Sequence, residues 1–167
     1  MFDREILELA TAVLAACRAR EWRVATAESC TGGLIAAALT ADPDSSDVVD
    51  RGFVTYSNKA KTELLGVPAA TLAAVGAISA ETALAMAAGA VTRAGVDLTV
   101  SVTGIAGPGG ASAEKPVGLV YIGAATRTGS RSERHIFSGD RAAVRRAATV
   151  RALEMLKAEA ESSAAEG

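Results

Sequence analysis

Apolar positions in this 167-residue chain recur at helical spacing in several stretches, and short β-branched or apolar runs separate them. From Asp3 to Arg20, Ile6, Leu9, Ala10, Val13 and Cys17 fall on one face, with Asp3 at the N-cap position and Glu5 in the first turn, which predicts an amphipathic helix. Arg23 to Ala27 reads as a first strand. It opens into Thr26 to Gly33, TAESCTGG, a strand, tight turn and helix N-terminus, with the helix running from about Thr31 to Leu39. After a polar loop around Pro43, Val48 to Tyr56 reads as a second strand. Tyr56 to Val67 suits a short helix ended by Gly66 and Pro68, and Ala69 to Gly76 a short helical or irregular connection.

Ser79 suits the N-cap of a helix carrying Leu84, Met86 and Val91 and stopped by Gly95. Asp97 to Val102 reads as a buried strand, followed by a Gly/Pro-rich loop from Thr103 to Pro116. Val117 to Ala125 and Arg131 to Phe137 form an expected antiparallel pair, because their connection is short. Asp140 caps a last helix with Ala143, Ala147, Val150, Leu153 and Leu156 on one face, and the tail ESSAAEG is expected to fray. Strands alternating with helices before a closing hairpin predict an α/β fold: a three-layer α/β/α sandwich on a mixed, mainly parallel sheet. One domain is expected over residues 1–167.

Composition narrows the function classes. Half of the residues are hydrophobic but only 4% are aromatic, which suits close helix packing and argues against a stacking platform for single-stranded nucleic acid. The net charge of −2, without a run of like charge, gives weak long-range attraction for nucleic acid or an anionic membrane. Cys17 and Cys30 fit no zinc spacing, and the lone His135 cannot build a His-rich metal site. No signal-peptide pattern or uninterrupted membrane-length apolar stretch occurs, so a cytoplasmic protein with free thiols is expected.

Candidate chemistry gathers at TAESCTGG. Ser29 sits where unpaired backbone N–H groups and the helix dipole favour developing negative charge, although a Ser there can equally be an N-cap. Cys30 is a rival nucleophile at the same helix start. A serine hydroxyl needs a base. His135, isolated on a strand, reads as structural; a desolvated lysine is the other choice. Lys59 and Lys61 both follow Tyr56 and point to different sides of a helix, so spacing alone does not choose between them. The loop TGIAGPGG matches neither a P-loop nor a dinucleotide fingerprint, yet its backbone N–H groups can hold an oxyanion or phosphate. Arg141 and Arg145, in the first turns of the last helix, can meet a phosphate or face solvent.

Four ordered segments, AESCTGG at 27–33, GFVTYSNKAK at 52–61, TGIAGPGG with EKPVG within 103–118, and FSGDR with VR within 137–145, resemble the CinA C-terminal domain family. Its stand-alone members are nicotinamide-nucleotide amidohydrolases of the PncC type. The resemblance implies hydrolysis of the carboxamide of nicotinamide mononucleotide to nicotinate mononucleotide and ammonia, by a Ser/Lys acyl-enzyme mechanism without metal or other cofactor. Residue by residue it implies Ser29 as nucleophile, Lys61 as base and Tyr56 as assisting hydroxyl. The oxyanion would meet backbone at Cys30, Thr31, Gly32 and Gly33, and Thr103, Gly104 or Arg145 would position the nucleotide. The implied partner is a small-molecule nucleotide, with neither nucleic acid nor membrane, and a homo-oligomer is expected. Ala111 departs from the family loop, which often has a second Gly after Gly110, and the N-terminal domain of full-length relatives is expected to be missing with its activities. The competing reading is a non-enzymatic nucleotide-binding regulatory module; such a module could lose Ser29 or Lys61, and both are present.

Overall fold

Two strands buried along nearly their whole length, β1 (Val24–Glu28) and β3 (Leu98–Gly104), pair in parallel inside a five-stranded sheet of order β2-β1-β3-β4-β5. The computed structural model describes residues 1–164. β2 (Val49–Val54) adds in parallel to the outer side of β1, while β4 (Leu119–Thr126) and β5 (Ser130–Ile136) complete the sheet through two antiparallel pairings. The mixed pattern follows from the connections: the parallel pairs are joined through helices, the hairpin by a short turn.

Helices cover both faces. On one, α1 (Arg4–Arg18), α2 (Leu34–Leu39) and α6 (Arg141–Ala164) close a core that includes Val13, Leu14, Ile35, Leu39, Val100, Val102, Leu153 and Leu156. On the other, α3 (Asn58–Leu65), α4 (Ala69–Val75) and α5 (Ala80–Ala94) bring Leu65, Val67, Met86 and Ala90 against Ala27. This is the expected three-layer α/β/α sandwich.

The period of two along β3 gives each face its own chemistry. Leu98, Val100 and Val102 enter the apolar core, while Thr99, Ser101 and Thr103 point the other way and donate to the carbonyls of Ala87, Ala83 and Ala77 at 2.7, 2.6 and 2.8 Å. These three buried hydroxyls are thus satisfied by α5 and the turn before it, and helix and sheet approach closely. Gly89 of α5 meets α3 still more tightly, since a Cβ there would stand 1.9 Å from the Leu65 carbonyl oxygen.

Two local expectations change. α2 starts at Leu34 rather than Thr31, and α6 continues to Ala164, into the segment expected to fray; residues 165–167 of that tail lie outside the described residues. Among the described residues, no helix is long and apolar enough to cross a membrane. The parallel strands β1, β2 and β3 all end at one edge of the sheet, and the segments that follow them meet there.

Candidate active site

Ser29 follows the last residue of β1, and its N–H donates to Val102 O of β3 at 2.9 Å, so the sheet fixes its backbone. The Ser29 side chain is not the helix cap. The N-cap position belongs to Gly33, with φ 104° and no capping side chain; the fully buried Glu28 carboxylate takes the donors instead. Glu28 Oε2 accepts from Thr31 Oγ1 at 2.7 Å, Gly33 N at 2.9 Å and Ile35 N at 3.2 Å, and Oε1 accepts from Ala36 N at 2.9 Å. Gly32, at φ 59°, donates to Ser29 O at 3.0 Å. Both glycines hold left-handed backbone that a side chain would strain. Gly32 and Gly33 therefore use their N–H groups internally, and in this turn those of Cys30 and Thr31 donate to no other residue among the described residues.

The lysine arrives from the end of β2. Ser57 caps α3 by accepting from Ala60 N at 3.0 Å, and one turn later Lys61 is buried to 1% exposure. Lys61 Nζ lies 3.0 Å from Ser29 Oγ and donates to Thr55 O at 2.8 Å. Removal from water holds the Lys61 ammonium below the ordinary lysine range, opposed only by the nearby Cys30. Lys59, two residues away and on another side of the helix, forms an exposed ion pair with Glu63. Cys30 is buried, and burial pushes its thiol up to about 11, so it carries no thiolate near neutral pH.

The other expected residues divide. Tyr56 is exposed and its hydroxyl accepts from Arg141 Nη2 at 3.0 Å, while Arg141 Nη1 donates to Gly107 O at 2.9 Å; no hydrogen bond joins Tyr56 to Ser29 or Lys61. Arg145 turns toward the nucleophile turn, donating from Nε to Cys30 O at 3.1 Å and from Nη2 to Thr31 O at 3.3 Å. Thr103 is buried with its hydroxyl given to Ala77 O. Gly104 lines the site beside β4, where a Cβ would come within 2.8 Å of Leu119 O.

Ser29, Cys30, Tyr56, Lys61, Gly104 and Arg141 line one cavity of about 280 Å³, completed by Asn58, Ala77, Ile78 and the glycine loop. A second cavity, about 640 Å³, adjoins it at Ala106 and Arg141 and is bordered by Asp140 and Arg145. His135 lies elsewhere, paired with Glu133 at 2.8 Å and stacked on Phe137. Among the described residues, no three His, Cys, Asp or Glu side chains cluster as a metal site. Sequence reasoning overlooked Glu28, Asn58, Ala77 and Ile78, which no periodicity distinguishes. It weighed Arg141 with Arg145 but could not see that only Arg141 reaches the serine's cavity.

Fold and cavity define a class: an α/β/α domain with a serine–lysine pair where its parallel strands end. The CinA C-terminal domain model matches residues 6–160, and the chain belongs to that family. It is 52% identical over 155 residues to the nicotinamide-nucleotide amidohydrolase PncC of Enterobacter agglomerans, a match that takes 92% of this chain and 94% of the relative. A relative from Caldicellulosiruptor bescii named for competence and damage induction is 49% identical over 155 residues, covering 93% of this chain; the chain spans 37% of that longer protein. The crystal structure of the competence/damage inducible protein CihA from Agrobacterium tumefaciens superposes with a TM-score of 0.92 at 50% identity, over 95% of this chain and 97% of that one.

Proposed function

We propose that this chain is an amidohydrolase that converts the carboxamide of a nicotinamide nucleotide to the carboxylate, releasing ammonia, with Ser29 as nucleophile and Lys61 as base. The observation that carries the reading is the 3.0 Å contact between Ser29 Oγ and the buried Lys61 Nζ. The amidohydrolase relative, matched along nearly its whole length, supports the substrate class.

In the neutral amine form, Lys61 accepts the Ser29 proton as Oγ bonds to the carboxamide carbon. The carbonyl oxygen becomes an oxyanion that meets the N–H of Cys30, the residue after Ser29 that also lines the cavity. Collapse breaks the C–N bond; the Lys61 ammonium returns its proton to the leaving nitrogen, which departs as ammonia. Water, deprotonated by the same amine, then attacks the acyl ester and frees the acid and Ser29. Thr55 O orients Nζ throughout. Tyr56, at the mouth of the cavity, assists by holding Arg141 beside the substrate rather than by touching Ser29. The small cavity takes the ring and amide, and the adjoining larger one, with Arg141 and Arg145 on its border, takes ribose and phosphate.

The test is ammonia release from nicotinamide mononucleotide, run beside folded Ser29→Ala and Lys61→Ala proteins. The reading expects turnover by the wild type and a fall of about 10³-fold or more in each variant. A wild type silent on every pyridine nucleotide would sink it in favour of the regulatory binding module.

A further inference from the structure

We infer that Glu28 is a positioning residue for catalysis, whose buried carboxylate shapes the nucleophile turn so that the Cys30 N–H is left to meet the oxyanion. The inference rests on the reading of Ser29 as nucleophile.

Glu28 is fully buried, and a carboxylate in that position is costly unless its oxygens are satisfied. Among the described residues, every hydrogen bond it receives comes from the turn and helix just after Ser29: Thr31 Oγ1, Gly33 N, Ile35 N and Ala36 N, at 2.7 to 3.2 Å. No cation pairs with it among the described residues. Helix capping alone does not require this arrangement. α1, α3 and α5 are capped by the ordinary side chain at the N-cap position, from Asp3, Ser57 and Ser79.

At α2 the capping function moves back onto the strand, which has two consequences. First, the serine hydroxyl is released from capping and reaches Lys61 Nζ. Second, the carboxylate draws in the N–H groups of Gly33, Ile35 and Ala36, while Gly32 closes on Ser29 O, so the N–H of Cys30, which lines the cavity, is left without a donor bond to another residue among those described. Arg145 donates to the carbonyls of this turn, at Cys30 O and Thr31 O, so the turn is tied to a cation as well as to the buried anion. Orientation of such donors before reaction is what gives them their effect on the barrier.

Two variants test it, Glu28→Gln and Thr31→Val. In Glu28→Gln the new amide nitrogen cannot accept, so one backbone donor faces another donor; Thr31→Val keeps the shape of threonine but removes the shortest hydrogen bond to the carboxylate. Three readouts are taken: the melting midpoint, kcat and KM for nicotinamide mononucleotide, and the rate at which a sulfonyl fluoride modifies Ser29, followed by intact mass. The expectation is a kcat about tenfold lower or more in both variants, smaller than the loss of a whole oxyanion donor, with KM within about twofold. The sulfonylation rate falls with kcat. If Glu28→Gln is folded and its kcat and labelling rate stay within about twofold of wild type, the inference is overturned. Should Glu28→Gln not fold, Thr31→Val decides by the same criterion. A wild type that is silent on pyridine nucleotides but labelled at Ser29 in a Glu28-dependent way would overturn the substrate and keep the positioning role.

Discussion

Lys61 Nζ stands 3.0 Å from Ser29 Oγ although 32 residues separate the two in sequence, and Thr55 O is its other hydrogen-bond partner. A buried amine so placed is a base when neutral and a destabilising charge when protonated.

Replacing Lys61 should therefore abolish activity and help the fold. Lys61→Met fills the same volume without the buried amine, and its melting midpoint at neutral pH should rise by about 2–4 °C, the shift that roughly 1 kcal/mol produces in a domain of this size. Calorimetry of the variant beside wild type checks it, and a midpoint several degrees lower would mean that the amine is a net stabilising contact.

The pH dependence has a fixed sign. Burial lowers the Lys61 pKa in the folded protein, so kcat/KM should rise with pH through an apparent pKa below the ordinary lysine value of about 10.4 and then level off. The unfolded chain holds the proton to higher pH, so this residue's contribution to stability is full above the unfolded value and is lost as pH falls toward the folded one. A rate profile that falls with rising pH over this range would exclude Lys61 as the base.

Cysteine chemistry should be silent in the native state. Cys17 and Cys30 are buried, and burial pushes each thiol up to about 11, so iodoacetamide at about pH 7 should leave both unmodified and the turnover unchanged. Denatured protein should take up label at both. Rapid native labelling of Cys30 with loss of activity would revive it as nucleophile.

Arg141 bridges Tyr56 and the glycine loop where the two cavities join. Arg141→Ala should raise KM for nicotinamide mononucleotide by about tenfold, the effect of roughly 1.4 kcal/mol of lost charge-assisted bonding, with less change for nicotinamide riboside, which lacks the phosphate. Steady-state kinetics on the pair decides; equal effects on both would leave Arg141 a structural strut.

Packing behind the site should matter as well. A Cβ at Gly89 would overlap Leu65 O at 1.9 Å, and α3 carries both Leu65 and Lys61. Gly89→Ala should cost about 1–3 kcal/mol of stability and lower kcat by displacing the lysine, measured by denaturant titration and turnover. Wild-type values for both would mean that α3 shifts without disturbing Lys61.

The sequence by itself determined the element order, because hydrophobic periodicity and local punctuation act over a few residues: Asp3, Ser79 and Asp140 each cap the helix that follows them. The four motifs likewise pointed to Ser29 and Lys61. Only the tertiary structure separated residues whose local patterns are equivalent. Lys59 and Lys61 share one helix, but α3 packs on α5 so that Lys61 alone turns inward, and Arg141 and Arg145 share another, but one reaches the cavity and the other the back of the turn. Glu28 was invisible as a cap for the same reason. A strand residue is read by its period of two, whereas its partners here lie as far as eight residues ahead and converge only when the chain turns back over the end of β1.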